Sequence, residues 1–277
     1  MMRFARLSAG VAAAFLAGAG LAPARALAQA RGWDFAKSAP IAVHRALLFG
    51  LGVELRIHGK PSDAPAVLVV ANHVSWLDIP ALGAAAPLAF LAKKEIGSGA
   101  LARFAVSLQG VVYVDRQRKR DIPRVNARIA EAARRGERVV LFAEATTGDG
   151  NRILRFHSSH FEAIRQAARD RPAAIQPIFL HYARRAGLPI LRRERPDIAW
   201  YGDMTFGPHF RRFLKGGRLA AHIHFGDPIL VDPQRSRKAL AASAEEAVRR
   251  LSVAARRGQG AIEASSGGAI FETGDSA

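Results

Sequence analysis

Ala66-Val67-Leu68-Val69-Val70-Ala71, running straight into Asn72-His73-Val74-Ser75-Trp76-Leu77-Asp78, is the stretch on which the fold turns. Six consecutive apolar residues are too few for a core helix, and the run is rich in β-branched valine. Such a run reads as a strand buried on both faces. A strand of that kind belongs inside a parallel sheet with helices over each side. Its C-terminal end delivers His73 into a loop, and in open sheets of this type the site forms along the carboxyl edge of the strands.

The same pattern repeats outward from this strand. Val53–His58 alternates apolar and polar residues up to Gly59-Lys60-Pro61 and reads as a strand and turn. Residues 77–86 are apolar and Ala-rich and predict a buried helix. Strands are expected over 88–92, 111–114, Val139–Phe142, 174–180 and 222–225. Helices are expected over 98–108, 121–135, 158–169 and 239–257, each from apolar residues at helical spacing. No element is assigned between 180 and 222. The alternation predicts an α/β domain, a mainly parallel or mixed sheet flanked by helices. Four strands lead into chemically useful residues: His73, Lys93, Asp115-Arg116 and Glu144.

Composition narrows the function. The chain of 277 residues has no cysteine, which excludes disulfides, zinc-thiolate and iron–sulfur sites and a cysteine nucleophile. Its 41 Lys and Arg against 23 Asp and Glu give a formal charge of +18, an excess that seeks polyanions. No helix-turn-helix, RNA-recognition or zinc-finger pattern accompanies it. An anionic membrane surface is therefore the expected partner, and nucleic acid is not.

At the N-terminus, Arg3 and Arg6 precede an uncharged run from Leu7 to Ala24. A cleaved signal ending at Ala28-Gln29-Ala30 and a retained membrane anchor both fit it. Residues 41–51 are apolar around His44 and Arg45. They suit a membrane-associating helix lying in the interface plane or a helix packed on the domain. The expected organisation is 1–33 as anchor or signal-like segment, 34–257 as the main domain, and 258–277, rich in Gly and Ser, as a disordered tail.

His73 and Asp78 form the chemical nucleus. Imidazole titrates near neutrality and suits removal of a hydroxyl proton, and a carboxylate that fixes its tautomer improves it. A tight turn can bring Asp78 back to one ring nitrogen of His73. Ser75 lies between them without a Gly-x-Ser-x-Gly elbow and reads as a turn or cap residue. No second histidine or carboxylate stands at ligand spacing nearby, so no metal is expected at this site.

These residues resemble the glycerolipid acyltransferase family, which includes the lysophosphatidic acid acyltransferases. Asn72-His73-x4-Asp78 resembles the family's first motif. Gly110-Val111-Val112-Tyr113-Val114-Asp115-Arg116 resembles its second, Phe142-Ala143-Glu144-Ala145-Thr146-Thr147 its third, and Ile175-Gln176-Pro177-Ile178 its fourth. The resemblance covers roughly residues 53 to 232. It implies transfer of a fatty acyl chain to a lysolipid hydroxyl, with His73 as base and Asp78 as its partner. It also implies an acyl carrier protein or coenzyme A thioester as donor, no further cofactor, and a site on the cytoplasmic face of the inner membrane. Lys93, Asp115, Arg116, Glu144, Thr146, Thr147 and Gly148 are the implied acceptor-binding residues.

The third motif departs from the family's usual Pro-Glu-Gly-Thr-Arg: Ala143, Ala145 and Thr147 replace its proline, glycine and arginine. Threonine cannot make arginine's bidentate contact with a phosphate, though Arg152 or Arg155 would reach one from another angle. The run Glu144–Arg152, with Trp200-Tyr201-Gly202-Asp203-Met204, looks most like the lyso-ornithine lipid branch. Asp149 or Asp203 would meet that lipid's ammonium group. Alternatively, Asp149 belongs to a Gly-Asp-Gly turn, and Trp200-Tyr201 are core or membrane-interface aromatics. The competing readings are acyl transfer to lysophosphatidic acid and a non-catalytic basic protein that binds membranes or polyanions.

Overall fold

A computed structural model describes residues 35–93, 110–114 and 121–258. Asp115 and Arg116, the helix expected over 98–108, the segment 1–33 and the tail after 258 lie outside these described residues. The element order is α1 (Phe35–Leu51), β1 (Val53–His58), β2 (Ala66–Ala71), α2 (Asp78–Ala85), β3 (Ala89–Lys93), β4 (Gly110–Val114), α3 (Ile122–Arg134) and β5 (Val139–Phe142). It continues with α4 (Phe161–Ala167), β6 (Ala173–Arg185), β7 (Leu188–Pro189), α5 (Phe206–Lys215), β8 (Leu219–Phe225), β9 (Ile229–Leu230) and α6 (Arg237–Arg256).

The strands form one mixed sheet in the order β1-β8-β6-β2-β5-β3-β4, with β7 and β9 paired to β6. From β6 to β4 all neighbours are parallel. β8 runs antiparallel to β6, and β1 runs parallel to β8. β2 lies between β5 and β6, and its burial is complete on both faces, as its valine-rich sequence requires. Two apolar layers follow from this. One joins Leu68, Val70, Ile129, Phe161, Ile164 and Leu240 under α3, α4 and α6. The other joins Val67, Val69, Leu77, Leu82, Leu180 and Ile223 under α1, α2 and α5.

Local chemistry sets the element ends. α6 opens at Ser236, whose side chain accepts from the Ala239 N–H at 3.2 Å. β6 is longer than its apolar run because a bulge between Tyr182 and Arg184 lets it keep pairing with β8 beyond Leu180. Pro177, which lacks an N–H, sits where β6 changes partner from β9 to β8.

α1 packs on the domain. Ala39, Val43, Leu48 and Leu51 are buried, and so is His44. The His44 ring lies against Gly83 of α2, so close that a β-carbon on Gly83 would stand 2.5 Å from it. Arg45 Nε donates to the Ala84 carbonyl at 3.3 Å. The two polar residues that interrupt this apolar stretch are thus its contacts with α2. Among the described residues no helix is long and apolar enough to cross a membrane.

Candidate active site

Asn72 prepares the turn that follows β2. Its side-chain Nδ2 donates to the Leu180 carbonyl and its Oδ1 accepts from the Leu180 N–H, both at 2.9 Å. This pair locks the end of β2 to β6 just before His73. The chain then turns tightly into α2, and the turn is organised by one carboxylate. Asp78 Oδ2 accepts from Val74 N–H at 2.6 Å, from Ser75 N–H at 2.9 Å and lies 2.8 Å from His73 Nδ1. Asp78 is fully buried, and its Oδ1 accepts from the Tyr182 hydroxyl at 2.6 Å. Burial, then the Asp78 charge, push the Tyr182 hydroxyl well above its ordinary pKa, so it stays protonated and donates.

The consequence for His73 is a fixed tautomer: its Nδ1–H points at Asp78, and Nε2 carries the free lone pair. The ring stacks on Phe142 with centroids 4.0 Å apart, and the side chain is 20 % exposed. Ser75 acts through its backbone, accepting from the Asp78 N–H at 3.1 Å, in keeping with a turn residue.

Glu144, expected to face the acceptor, is placed differently. It is buried, and its two oxygens accept from the N–H groups of His73 at 3.2 Å and Leu154 at 2.9 Å. Burial pushes its carboxyl up, countered in part by those two N–H groups. Glu144 therefore braces the His73–Asp78 turn from the end of β5. Gly148 does the same from its backbone, donating to the His73 carbonyl at 2.8 Å. Between them Ala145 adopts φ +58°, the left-handed region that glycine occupies without cost, which accounts for the family's glycine at this place. Thr146 is exposed and Thr147 half-buried on the same loop. Lys93 closes β3, where the register sets it beside Val114 of β4, on the sheet edge that carries His73 and Glu144.

Asp149 takes the turn alternative: Asn151 donates to both its oxygens, at 2.8 and 2.7 Å. Burial would raise its pKa, but the Asn151 hydrogen bonds and the charges of Arg152 and Arg195 outweigh that and hold it low. Asp203 is exposed.

Three residues escape a reading of local sequence. Tyr182 reaches Asp78 from β6, 104 positions away. Trp76 sits edge-on to Phe206, Phe210 and Phe213 of α5, with centroids 5.5 to 5.7 Å away, and so ties α5 to the His73–Asp78 turn. Trp200 donates its backbone N–H to the Val74 carbonyl at 2.9 Å, which brings the loop before α5 against the same turn.

A family model described as Acyltransferase matches residues 54–181. The chain is 35 % identical over 236 residues to a lyso-ornithine lipid O-acyltransferase of Brucella abortus, covering 84 % of this chain and 88 % of that protein. It is 37 % identical over 205 residues to the protein of the same name in Pseudomonas aeruginosa, covering 73 % and 74 %. A 1-acyl-sn-glycerol-3-phosphate acyltransferase of Neisseria meningitidis is 32 % identical over 212 residues, covering 76 % and 79 %. The crystal structure of the 1-acyl-sn-glycerophosphate acyltransferase from Thermotoga maritima shares the fold with a TM-score of 0.58 at 16 % identity, over 90 % of this chain and 94 % of that one.

Proposed function

The chain belongs to the acyltransferase family, and from that premise we propose that it moves a fatty acyl chain from an acyl thioester to the hydroxyl of lyso-ornithine lipid, with His73 as general base. The observation that carries this reading is the 2.8 Å contact between His73 Nδ1 and a fully buried Asp78. It leaves Nε2 to take the acceptor's hydroxyl proton as that oxygen attacks the thioester carbonyl carbon. The imidazolium that forms is stabilised by Asp78. Collapse of the tetrahedral intermediate breaks the carbon–sulfur bond, forms the ester, and returns the proton from Nε2 to the leaving thiolate. The acceptor hydroxyl is the nucleophile, so no acyl-enzyme is needed.

Two features favour the aminolipid acceptor. Relatives named lyso-ornithine lipid O-acyltransferases match at 35 % and 37 % identity. Thr147 replaces the arginine that grips a phosphate in the family's third motif, and a zwitterionic amino-acid lipid has no phosphate to grip. Exposed Asp203 is the better carboxylate for the ornithine ammonium, because Asp149 is committed to Asn151. Thr146 and Thr147 offer neutral hydrogen-bonding groups to the acceptor, and Lys93 stands on the same sheet edge. The donor is an acyl carrier protein or coenzyme A thioester. The enzyme works on the cytoplasmic face of the inner membrane, where such donors are found and where its +18 charge meets an anionic leaflet.

The test is an acceptor comparison with purified, detergent-solubilised protein, one acyl thioester, and lyso-ornithine lipid or lysophosphatidic acid. Turnover of the aminolipid at least tenfold faster is expected. Efficient turnover of lysophosphatidic acid alone would overturn the acceptor assignment and leave a phosphatidate-forming enzyme.

A further inference from the structure

The sheet gathers a second group of histidines on the face opposite to Asp78. The register builds it. His58 of β1 lies beside His224 of β8, and His222 stands two residues earlier on the same face. His181 of β6 pairs with His222 from the other side. Leu180 and Tyr182, its chain neighbours, point to the catalytic face. His58 Nε2 and His222 Nδ1 are 3.1 Å apart, and one ring nitrogen from each of His58, His222 and His224 lies within 4.8 Å of the others.

This group is expensive as a purely structural element. His224 is 7 % exposed, and its Nε2 is buried with no hydrogen-bond partner. A buried polar nitrogen left unmet destabilises the folded state. Burial, then the neighbouring histidines, hold His224 down to about 3, and burial and His58 hold His222 down to about 4. Both rings are therefore neutral at physiological pH, the form in which imidazole donates a lone pair to a metal.

We propose that His58, His222 and His224 bind a divalent transition ion of the zinc class, with a fourth position open to water or to His181. An all-imidazole donor set selects zinc, copper or nickel over magnesium or calcium. Zinc–nitrogen bonds of about 2.0–2.1 Å in a tetrahedron set ligand nitrogens about 3.4 Å apart. The 3.1 Å between His58 and His222 is close to that spacing, and His224, whose ring stacks on His58 with centroids 4.3 Å apart and planes 4° from parallel, turns out of that stack to bring its nitrogen to the ion. Arg56 and Arg184 beside His222 oppose a dication, and Glu54 favours it, so the site is exchangeable rather than permanently loaded. Its place explains what it does: β1 is the edge strand of the sheet, and an ion shared by β1 and β8 staples that edge.

The test uses untagged, full-length, detergent-solubilised protein freed of metal with a chelator. Titration with zinc should show one saturable equivalent and a rise in Tm, because an ion bound only by the folded state stabilises it. Cobalt(II) should give the intense visible bands of a tetrahedral nitrogen-rich site. His58→Gln and His224→Ala should bind zinc at least tenfold more weakly, while His73→Ala binds as wild type. No saturable zinc or cobalt binding by the wild-type protein, or equal binding by His58→Gln, would overturn the assignment. The cobalt spectrum decides the matter even if His224→Ala fails to fold.

Discussion

Tyr182 holds the side of the Asp78 carboxylate that His73 does not use: its hydroxyl donates to Oδ1 at 2.6 Å, while His73 Nδ1 meets Oδ2 at 2.8 Å. Asp78 is thereby fixed from two strands and from the turn's own backbone.

Tyr182→Phe removes one of these four partners without removing the base. The buried carboxylate loses a donor, which costs about 1–3 kcal/mol of stability. Activity should fall about tenfold, well short of the loss from removing a general base. Steady-state kinetics on the folded variant should show that fall in kcat, and wild-type kcat would contradict a role for Tyr182 in holding Asp78.

Ala145→Gly should stabilise the protein. Ala145 pays for φ +58° with about 1–2 kcal/mol of steric strain, and glycine's extra backbone entropy returns about 0.5–1 kcal/mol of that. A net gain of about 0.5–1 kcal/mol should appear as a raised denaturation midpoint. A lower midpoint would show that the loop between Glu144 and Gly148 is not strained.

Gly83→Ala should do the reverse. Its new methyl group would stand 2.5 Å from the buried His44 ring, and α1 and α2 would have to part. A loss of about 1–3 kcal/mol follows. Wild-type stability in this variant would contradict the packing of α1 on α2.

His44 also gives the fold an acid sensitivity. Burial lowers its pKa from 6.5 to about 4. Between those values the unfolded chain holds more protons than the folded one, so stability falls as pH falls from about 6.5 toward 4 and is unaffected by His44 above about 7. The share due to His44 is about 2 kcal/mol between pH 7 and pH 5. His44→Leu should flatten stability over that interval relative to wild type, as read by denaturant unfolding at both pH values. An equal slope in the two proteins would contradict it.

What the sequence discloses here is local. The all-apolar run of β2 forces burial on both faces, and the tight spacing of His73 and Asp78 fits a turn, so the strand and the His73–Asp78 contact can be read together. Tyr182 cannot, because its place opposite Asp78 is set by the pairing of β6 with β2 and β8. α5 hides behind Gly207-Pro208, a pair that reads as a breaker. In the first turn of a helix the N–H that proline lacks would have had no intrahelical partner, so the helix forms. Glu144 was recognisable as a motif residue, but its two backbone donors, one of them 71 positions earlier, come from the assembled sheet edge. The alternation of β8 puts His222 and His224 on one face, but His58 and His181 join them only through strand register.

The central claim is that His73 Nε2 removes the acceptor's proton. The most direct measurement compares single-turnover acyl transfer to lyso-ornithine lipid by wild type and His73→Ala, each shown to be folded by its thermal transition. His73→Ala should transfer the acyl chain about 10²–10⁴-fold more slowly, with lipid binding retained. Transfer by His73→Ala within a factor of about three of wild type would contradict it.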